Sequence, residues 1–329
     1  MADAVLITDR AWPDDVIERS VLEAAGLRIV AGPATPTTAA AIEALVAEHR
    51  PAAILTCWAE VSAAAITMSP SLRVVARMGV GLDNIDVAAA TAAGVLVTNV
   101  PDYCVEEVSD HAVAMILAWT RGLVAGDREV RAGQWSPAGH RLRRLSTLTC
   151  GVIGFGRIGR ITTAKLAALG ARVIVSDPTA SAATAGVPVC SLDELLSSCD
   201  VVVLHAPLTD KTRNLIGARE LALLPEGALL VNVSRGGLVD TSALTEALHY
   251  GNLGGACLDV VAEEPAVPSA LLEHPAVIIT PHVAFSSDAS LQDLRRSAAE
   301  EVVRVLAGQP ARHPCNSPTL GRNDQEVPA

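Results

Sequence analysis

The sequence predicts an α/β protein with two successive parallel sheets, and three observations predict it. Short apolar runs alternate with helical patterns along nearly the whole chain, the rhythm of strands joined by crossover helices. Near mid-chain a strand-like run enters Gly154-x-Gly156-x-x-Gly159 and continues into a helical pattern. The next apolar run ends in Asp177. Strand, glycine turn, helix, strand and acid, in that order, are the context a dinucleotide-binding fingerprint needs.

The first series has strands expected at 5–8, 27–30, 52–56, 72–76 and 95–98, with helices at 14–25 and 38–49. It forms a complete αβ layer before the glycine motif arrives. Residues 105–131 read as one helix, because Val108, Ala112, Met115, Ile116 and Trp119 make a stripe at 3.6 spacing. Glu106 and Glu107 load its first turn with the charge the helix dipole prefers. Residues 133–148 are polar and irregular, with a basic cluster at His140, Arg141, Arg143 and Arg144. A solvated connection is the plainer reading of that cluster; contact with an anionic ligand is the alternative.

The second series opens at the fingerprint. Gly154 allows the tight turn, Gly156 lets backbone approach a pyrophosphate, and Gly159 lets helix pack on strand. Arg157 and Ile158 open that helix, whose N-terminus offers N–H groups and a positive dipole end to phosphates; both belong to the expected cofactor site. Asp177 lies eighteen residues after Gly159, where an acid pairs with the adenosine ribose hydroxyls. It would repel a 2′-phosphate, and no Arg stands beside Pro178 to receive one. NAD is therefore expected over NADP. Further strands are expected at 201–204, 228–233, 256–259 and 277–280, then a long helix at 288–306 with Leu291, Leu294, Ala298, Val302 and Val305 on one face. This helix follows the completed second sheet and is expected to return to the first domain. Residues 309–329, polar and Pro-rich, are expected to be loose.

Composition bounds the function. Half of the 329 residues are hydrophobic and 19% are charged, as in a globular protein long enough for two domains. A net charge of −11 argues against direct binding of nucleic acid or an anionic membrane, but not against a small anionic substrate held by a few arginines. The N-terminus runs straight into a strand, with no leader pattern, and no apolar run approaches the ~20 residues that span a bilayer. Seven dispersed cysteines without a CxxC pair suit a reducing cytoplasm, not a disulfide framework or a metal site.

Polar residues just after strands face the ligand crevice of an open α/β sheet. Here they are Arg235, Asp259 with Glu263 and Glu264 beyond it, and His282. Moving a hydride to or from a carbon requires a proton to move on the attached oxygen, which suits His. A carboxylate beside it would stabilise the imidazolium and fix the tautomer, and a guanidinium can grip a substrate carboxylate at two points. Singly, each has a plain structural explanation. The residues alone do not choose between Glu263 and Glu264.

The chain resembles the D-isomer-specific 2-hydroxyacid dehydrogenases over nearly its whole length. The matching runs are Arg77-Met-Gly-Val-Gly-Leu-Asp-Asn-Ile-Asp86, Asn99-Val-Pro-Asp, the glycine motif, Val231-Asn-Val-Ser-Arg-Gly-Gly-Leu-Val-Asp240, Leu258-Asp-Val-Val-Ala-Glu-Glu-Pro265 and Thr280-Pro-His282. The resemblance implies a catalytic trio of Arg235, Glu264 and His282, and so selects Glu264. It implies that Gly79, Val80 and Gly81 offer N–H groups to the substrate carboxylate and that Asp259 holds the nicotinamide carboxamide. Ala206, Pro207, Thr212, Val233 and Ser234 would line the cofactor. It further implies two Rossmann-like or flavodoxin-like αβα domains, the cofactor domain (101–287) inserted in a discontinuous substrate domain (1–100 with 288–329). The cleft between them would close on the substrate. The helix and arm at 101–150 would make a homodimer, with Trp119 and Trp135 as anchors.

Within that family the chain looks closest to the C-terminal-binding-protein branch, through Arg77, the run Pro101-Asp-Tyr-Cys-Val-Glu-Glu-Val-Ser-Asp110 and the run from His282 to Ser290. Phe285 stands where that branch usually has Trp, so the pocket wall is expected to differ. Arg77 suggests a polar or acidic distal end on the substrate; a structural ion pair is the other reading. The function implied is NAD(H)-dependent interconversion of a 2-oxo acid and its D-2-hydroxy acid. The alternatives are an NAD(H)-responsive co-regulator scaffold and a dehydrogenase for a phosphorus oxyanion such as a phosphoglycerate, phosphonate or phosphite. The intact trio and the short tail favour an enzyme over a scaffold.

Overall fold

The computed structural model describes residues 2–137, 142–251 and 253–318. The chain divides into two compact units, Met1–Tyr103 with Ser287–Ala329, and Cys104–Ser286. The first unit runs β1 (Ala4–Ile7), α1 (Val16–Ala24), β2 (Arg28–Ala31), α2 (Ala39–His49), β3 (Ala53–Thr56), α3 (Ala63–Met68), β4 (Val74–Arg77), α4 (Val87–Ala92) and β5 (Leu96–Thr98). All strands are parallel, in the order β2-β1-β3-β4-β5. Successive strand residues face opposite sides, so Leu6, Ile54 and Val75 enter one core with Ile42 and Ile66 of α2 and α3. Val5, Leu55 and Val74 enter the other. Thr38, Ser62 and Asp86 start α2, α3 and α4 by accepting a backbone N–H from the first turn.

The second unit runs α5 (Val105–Thr120), α6 (Leu123–Arg131), β6 (Thr149–Ile153), α7 (Arg157–Ala168), β7 (Arg172–Ser176), α8 (Ala182–Ala185), α9 (Leu192–Ser198), β8 (Val201–Leu204), α10 (Ala218–Leu223), β9 (Ala228–Asn232), α11 (Thr241–His249), β10 (Leu253–Leu258), α12 (Ser269–Leu272) and β11 (Val277–Ile279). Its parallel order is β11-β10-β9-β8-β6-β7. The chain therefore reverses direction across the sheet between β6 and β8, the place where such sheets bind nucleotides. Finally α13 (Asp288–Leu306) packs with α1, β3 and β4 of the first unit, burying Leu294, Ala298 and Val302 at helical spacing. Arg295, buried on α13, ties it to α1 through Glu18 (2.8 Å) and to Asp14 just before that helix (2.7 Å). Every expected strand is present, and both units are parallel-sheet αβα layers.

Three expectations are corrected. The single helix at 105–131 is two helices, because Gly122 adopts φ 61°, a conformation that ends a helix and that glycine takes without a Cβ clash. Residues 309–318 are held, not loose. The N–H of Arg312 donates to Glu301 (2.6 Å), that of Cys315 to the Val97 carbonyl (2.8 Å), and the Asn316 side chain accepts from Val97 N–H (2.8 Å). β5 is an edge strand with unpaired backbone groups, and this segment satisfies them; residues 319–329 lie outside the described residues. Of the basic cluster, His140 and Arg141 also lie outside them. Arg143 is packed over the Trp119 ring (5.7 Å) and donates to the Gly227 carbonyl (3.2 Å). Gly227 precedes β9, so Arg143 sits at the opposite sheet edge from the nucleotide crevice. Among the described residues no helix is long and apolar enough to cross a membrane.

Candidate active site

The glycine loop follows β6. Gly154 has φ 93°, and a Cβ there would press on the backbone of His205 at 2.6 Å. A Cβ on Gly159 would collide with the Gly154 carbonyl, so helix and strand are close only because both positions are bare. Gly156 caps α7, and a Cβ there would meet nothing within 4 Å, so its surroundings are open. Arg157 is exposed and Ile158 half-buried on the first turn. Asp177, at the end of β7, accepts the Phe155 N–H (2.8 Å), the Thr179 N–H (2.7 Å) and hydroxyl (2.6 Å), and the Ala180 N–H (3.1 Å). Burial raises its pKa, but these hydrogen bonds outweigh burial and hold the carboxyl below its usual range.

Beyond β8 the chain closes a tight turn: the Thr212 hydroxyl donates to the Pro207 carbonyl (2.6 Å) and accepts the Thr209 N–H (2.7 Å), while Ala206 is nearly buried. Beyond β9, Asn232 clamps the next turn by accepting Ser234 N–H (3.1 Å) and donating to the Arg235 carbonyl (2.8 Å). The Ser234 hydroxyl donates to the Leu204 carbonyl (2.8 Å), tying β9 to β8, and Val233 is buried beside it. Arg235 is half-buried, one guanidinium nitrogen donating to the Ser234 carbonyl (2.8 Å).

The turn bearing Arg235 touches the loop bearing Glu264, because a Cβ on Gly236 would strike the backbone of Val261. Glu264 then links two loops: Oε1 accepts the Val261 N–H (3.3 Å) and Oε2 lies 2.7 Å from Nδ1 of His282. His282 has φ 53°, which a non-glycine residue adopts only when its surroundings enforce it. The Phe285 ring stands edge-on to His282, centroids 6.2 Å apart, an attractive arrangement. Asp259, buried, accepts from Thr280 Oγ1 (2.5 Å), Val283 N–H (2.9 Å) and Ala284 N–H (2.9 Å).

In the first unit Arg77 ends β4 and is buried, its guanidinium over the Trp58 ring (5.5 Å) and donating to the Met78 carbonyl. Among the described residues its Nε is buried without a hydrogen-bond partner. A Cβ on Gly79 would press on this guanidinium at 2.7 Å. The Asn99 side chain latches the loop by donating to the Val80 carbonyl (2.7 Å), and Val80 and Gly81 are exposed or half-exposed.

Three residues escaped sequence reasoning. His111 on α5 reaches Thr280 Oγ1 (3.0 Å). Asp9, just after β1, accepts the N–H groups of Cys57, Trp58 and Ala59. His205, just after β8, has both ring nitrogens buried without a partner although the residue is partly exposed, and burial pushes its pKa down to about 3. Asp9 and His205 stand at strand ends, so the rule that found Arg235 and His282 would have flagged both.

Residues 113–284 match the model of the D-isomer specific 2-hydroxyacid dehydrogenase, NAD binding domain. The chain belongs to the D-isomer specific 2-hydroxyacid dehydrogenase family. It is 41% identical over 252 residues to a D-3-phosphoglycerate dehydrogenase of Mycobacterium leprae (strain TN), covering 76% of this chain and 48% of that protein. The chain spans roughly half the length of the curated relatives it matches. The crystal structure of the TT0316 protein from Thermus thermophilus superposes with a TM-score of 0.88 at 33% identity, covering 95% of this chain and 100% of that one. The D-lactate dehydrogenase from Aquifex aeolicus, complexed with NAD and lactic acid, gives a TM-score of 0.83 at 29% identity over 92% of this chain and 96% of that one. The cofactor of this family member is NAD(H), and the glycine loop fits it: the room at Gly156 leaves the first amides of α7 approachable.

Proposed function

We propose that this chain is an NAD-dependent dehydrogenase that interconverts a 2-oxo acid and its D-2-hydroxy acid. The observation that carries the reading is the 2.7 Å contact between Glu264 and Nδ1 of His282. A proton on Nδ1, facing Glu264, leaves Nε2 as the working nitrogen. The bound cofactor supplies or accepts the hydride at the reacting carbon. In reduction the carbonyl oxygen gains the electron pair of its π bond and takes the proton from Nε2 of His282; in oxidation Nε2 takes that proton back. Arg235 grips the substrate carboxylate. Phe285 walls the pocket beside His282.

A phosphorus oxyanion on the substrate is a second reading, favoured by the buried Arg77 with its unpaired Nε. The Glu264–His282 pair supports an enzyme over a co-regulator scaffold. A homodimer through the α5–α6 region is supported by α6, which buries no residue, and by exposed Leu123, Val130, Trp135 and Leu142. A cytoplasmic setting is supported by seven free cysteines, of which burial pushes Cys57, Cys150, Cys199 and Cys257 up to about 12.

Purified protein with NADH and a panel of 2-oxo acids, phosphorylated ones included, tests the reading. Turnover of at least one is expected, and NADH binding without turnover of any refutes it. His282→Ala should lower kcat by about 10²-fold or more through loss of acid–base catalysis while NADH still binds; unchanged kcat would remove His282 from its role.

A further inference from the structure

His282 is held by something other than its own preferences. Its N–H donates to the Asp259 carbonyl (2.8 Å) and to the Thr280 carbonyl (3.0 Å), fixing the turn in the left-handed region. The carboxylate of the same Asp259 collects the next donors: Oδ1 takes the Thr280 hydroxyl and the Val283 N–H, and Oδ2 takes the Ala284 N–H. One residue, 2% exposed, thus receives donors on both sides of the catalytic imidazole.

The chain of contacts continues outward to a helix. His111 Nε2 lies 3.0 Å from Thr280 Oγ1 and 3.6 Å from Asp259 Oδ1. The threonine hydroxyl has one proton, and at 2.5 Å that proton belongs to Asp259. Thr280 therefore accepts from His111, and Nε2 of His111 carries the hydrogen. We propose that His111, Thr280 and Asp259 form a strut from α5 to the catalytic loop, and that all three are positioning residues for His282. This rests on the dehydrogenase reading above. It assigns Asp259 a task distinct from holding the nicotinamide carboxamide, and gives His111 a task that needs no contact with substrate.

The two assignments for Asp259 separate in kinetics. Asp259→Asn in the full chain should lower kcat by about 10²-fold, the cost of a misplaced catalytic group, with the NADH dissociation constant unchanged. A raised NADH dissociation constant with kcat retained would overturn the strut and leave Asp259 a cofactor residue. If Asp259→Asn does not fold, Thr280→Val and Thr280→Ser decide: loss of kcat in the first and rescue in the second is expected, and equal kcat in both overturns the proposal. His111→Leu should lower kcat by about tenfold at unchanged KM, as partial misplacement of the imidazole requires, and His111→Gln, which keeps a donor, should restore most of it.

A second readout needs no turnover. With ¹⁵N-labelled histidine, the His282 ring should give one sharp set of signals in the parent and broadened or doubled signals in Thr280→Val. Unchanged signals would sink the strut. Absence of turnover in the parent alone would sink the dehydrogenase reading and leave this result standing.

Discussion

The two units use the same residue at the carboxyl edges of their sheets, but in different surroundings. In the first, Asp9 follows β1 and accepts three N–H groups from the loop beyond the neighbouring β3. In the second, Asp259 follows β10 and holds the loop beyond β11, while Asp177 ends near β7 and holds Phe155 in the loop beyond β6. Asp9 and Asp259 are 1% and 2% exposed, whereas Asp177 stays half-exposed. A buried carboxylate whose oxygens are filled by its own chain is a strut. One that keeps an open side can serve the chain and a ligand together, as an acid facing ribose hydroxyls must.

Removing the most enclosed strut should have the largest effect on stability. In Asp9→Ala the N–H groups of Cys57, Trp58 and Ala59 lose their acceptor, and each unsatisfied buried group costs about 1–3 kcal/mol. Urea denaturation should record a loss of about 3 kcal/mol or more. A loss below about 1 kcal/mol would mean that the loop after β3 finds other partners, and that Asp9 is no counterpart of Asp259.

The comparison also marks what a sequence can carry. Asp177 was legible because strand, glycine turn and helix fix its distance along the chain. Arg235, Glu264 and His282 stand out in the sequence as polar residues at strand ends, with the family pattern needed to prefer Glu264 to Glu263, and the structure brings Glu264 to His282. Asp9 is visible in the sequence as a strand-end carboxylate, but its partners are not, because they lie 48 to 50 positions away and become neighbours only when β3 lies beside β1. His111 looked like one polar residue on an amphipathic helix, and its partner Thr280 lies 169 positions on. The held segment at 309–318 differs from its expectation for a related reason: its composition suits a free tail, and only the position of β5 at the sheet edge gives it partners.

His205 is the strand-end residue that breaks the pattern, both ring nitrogens being buried with no hydrogen-bond partner among the described residues. With its pKa depressed to about 3, the unfolded chain binds a proton that the folded chain does not between about pH 6.5 and 3. Stability from this group is complete above the unfolded value and falls as pH drops through that window, by about 1.4 kcal/mol per pH unit. His205→Leu should flatten the decline between about pH 6.5 and 5 by that amount, read as the difference between denaturation midpoints of parent and variant. Parallel declines would show that the ring is paired in solution.

Asp177 should show the smallest effect on stability and the clearest effect on selectivity. Because the site is half-exposed, water can take over the Phe155 N–H in Asp177→Ala, and the stability loss should be about 1 kcal/mol. The carboxyl is held below its usual range by the N–H and hydroxyl groups around it, so an ionised Asp177 would repel a 2′-phosphate. Without it, the ratio of NADH to NADPH affinity should fall by about tenfold, equivalent to about 1.4 kcal/mol. Titration of both cofactors against parent and variant reads this directly. An unaltered ratio with the same stability loss would place Asp177 with Asp9 among the struts and require the adenosine end to be read by other residues.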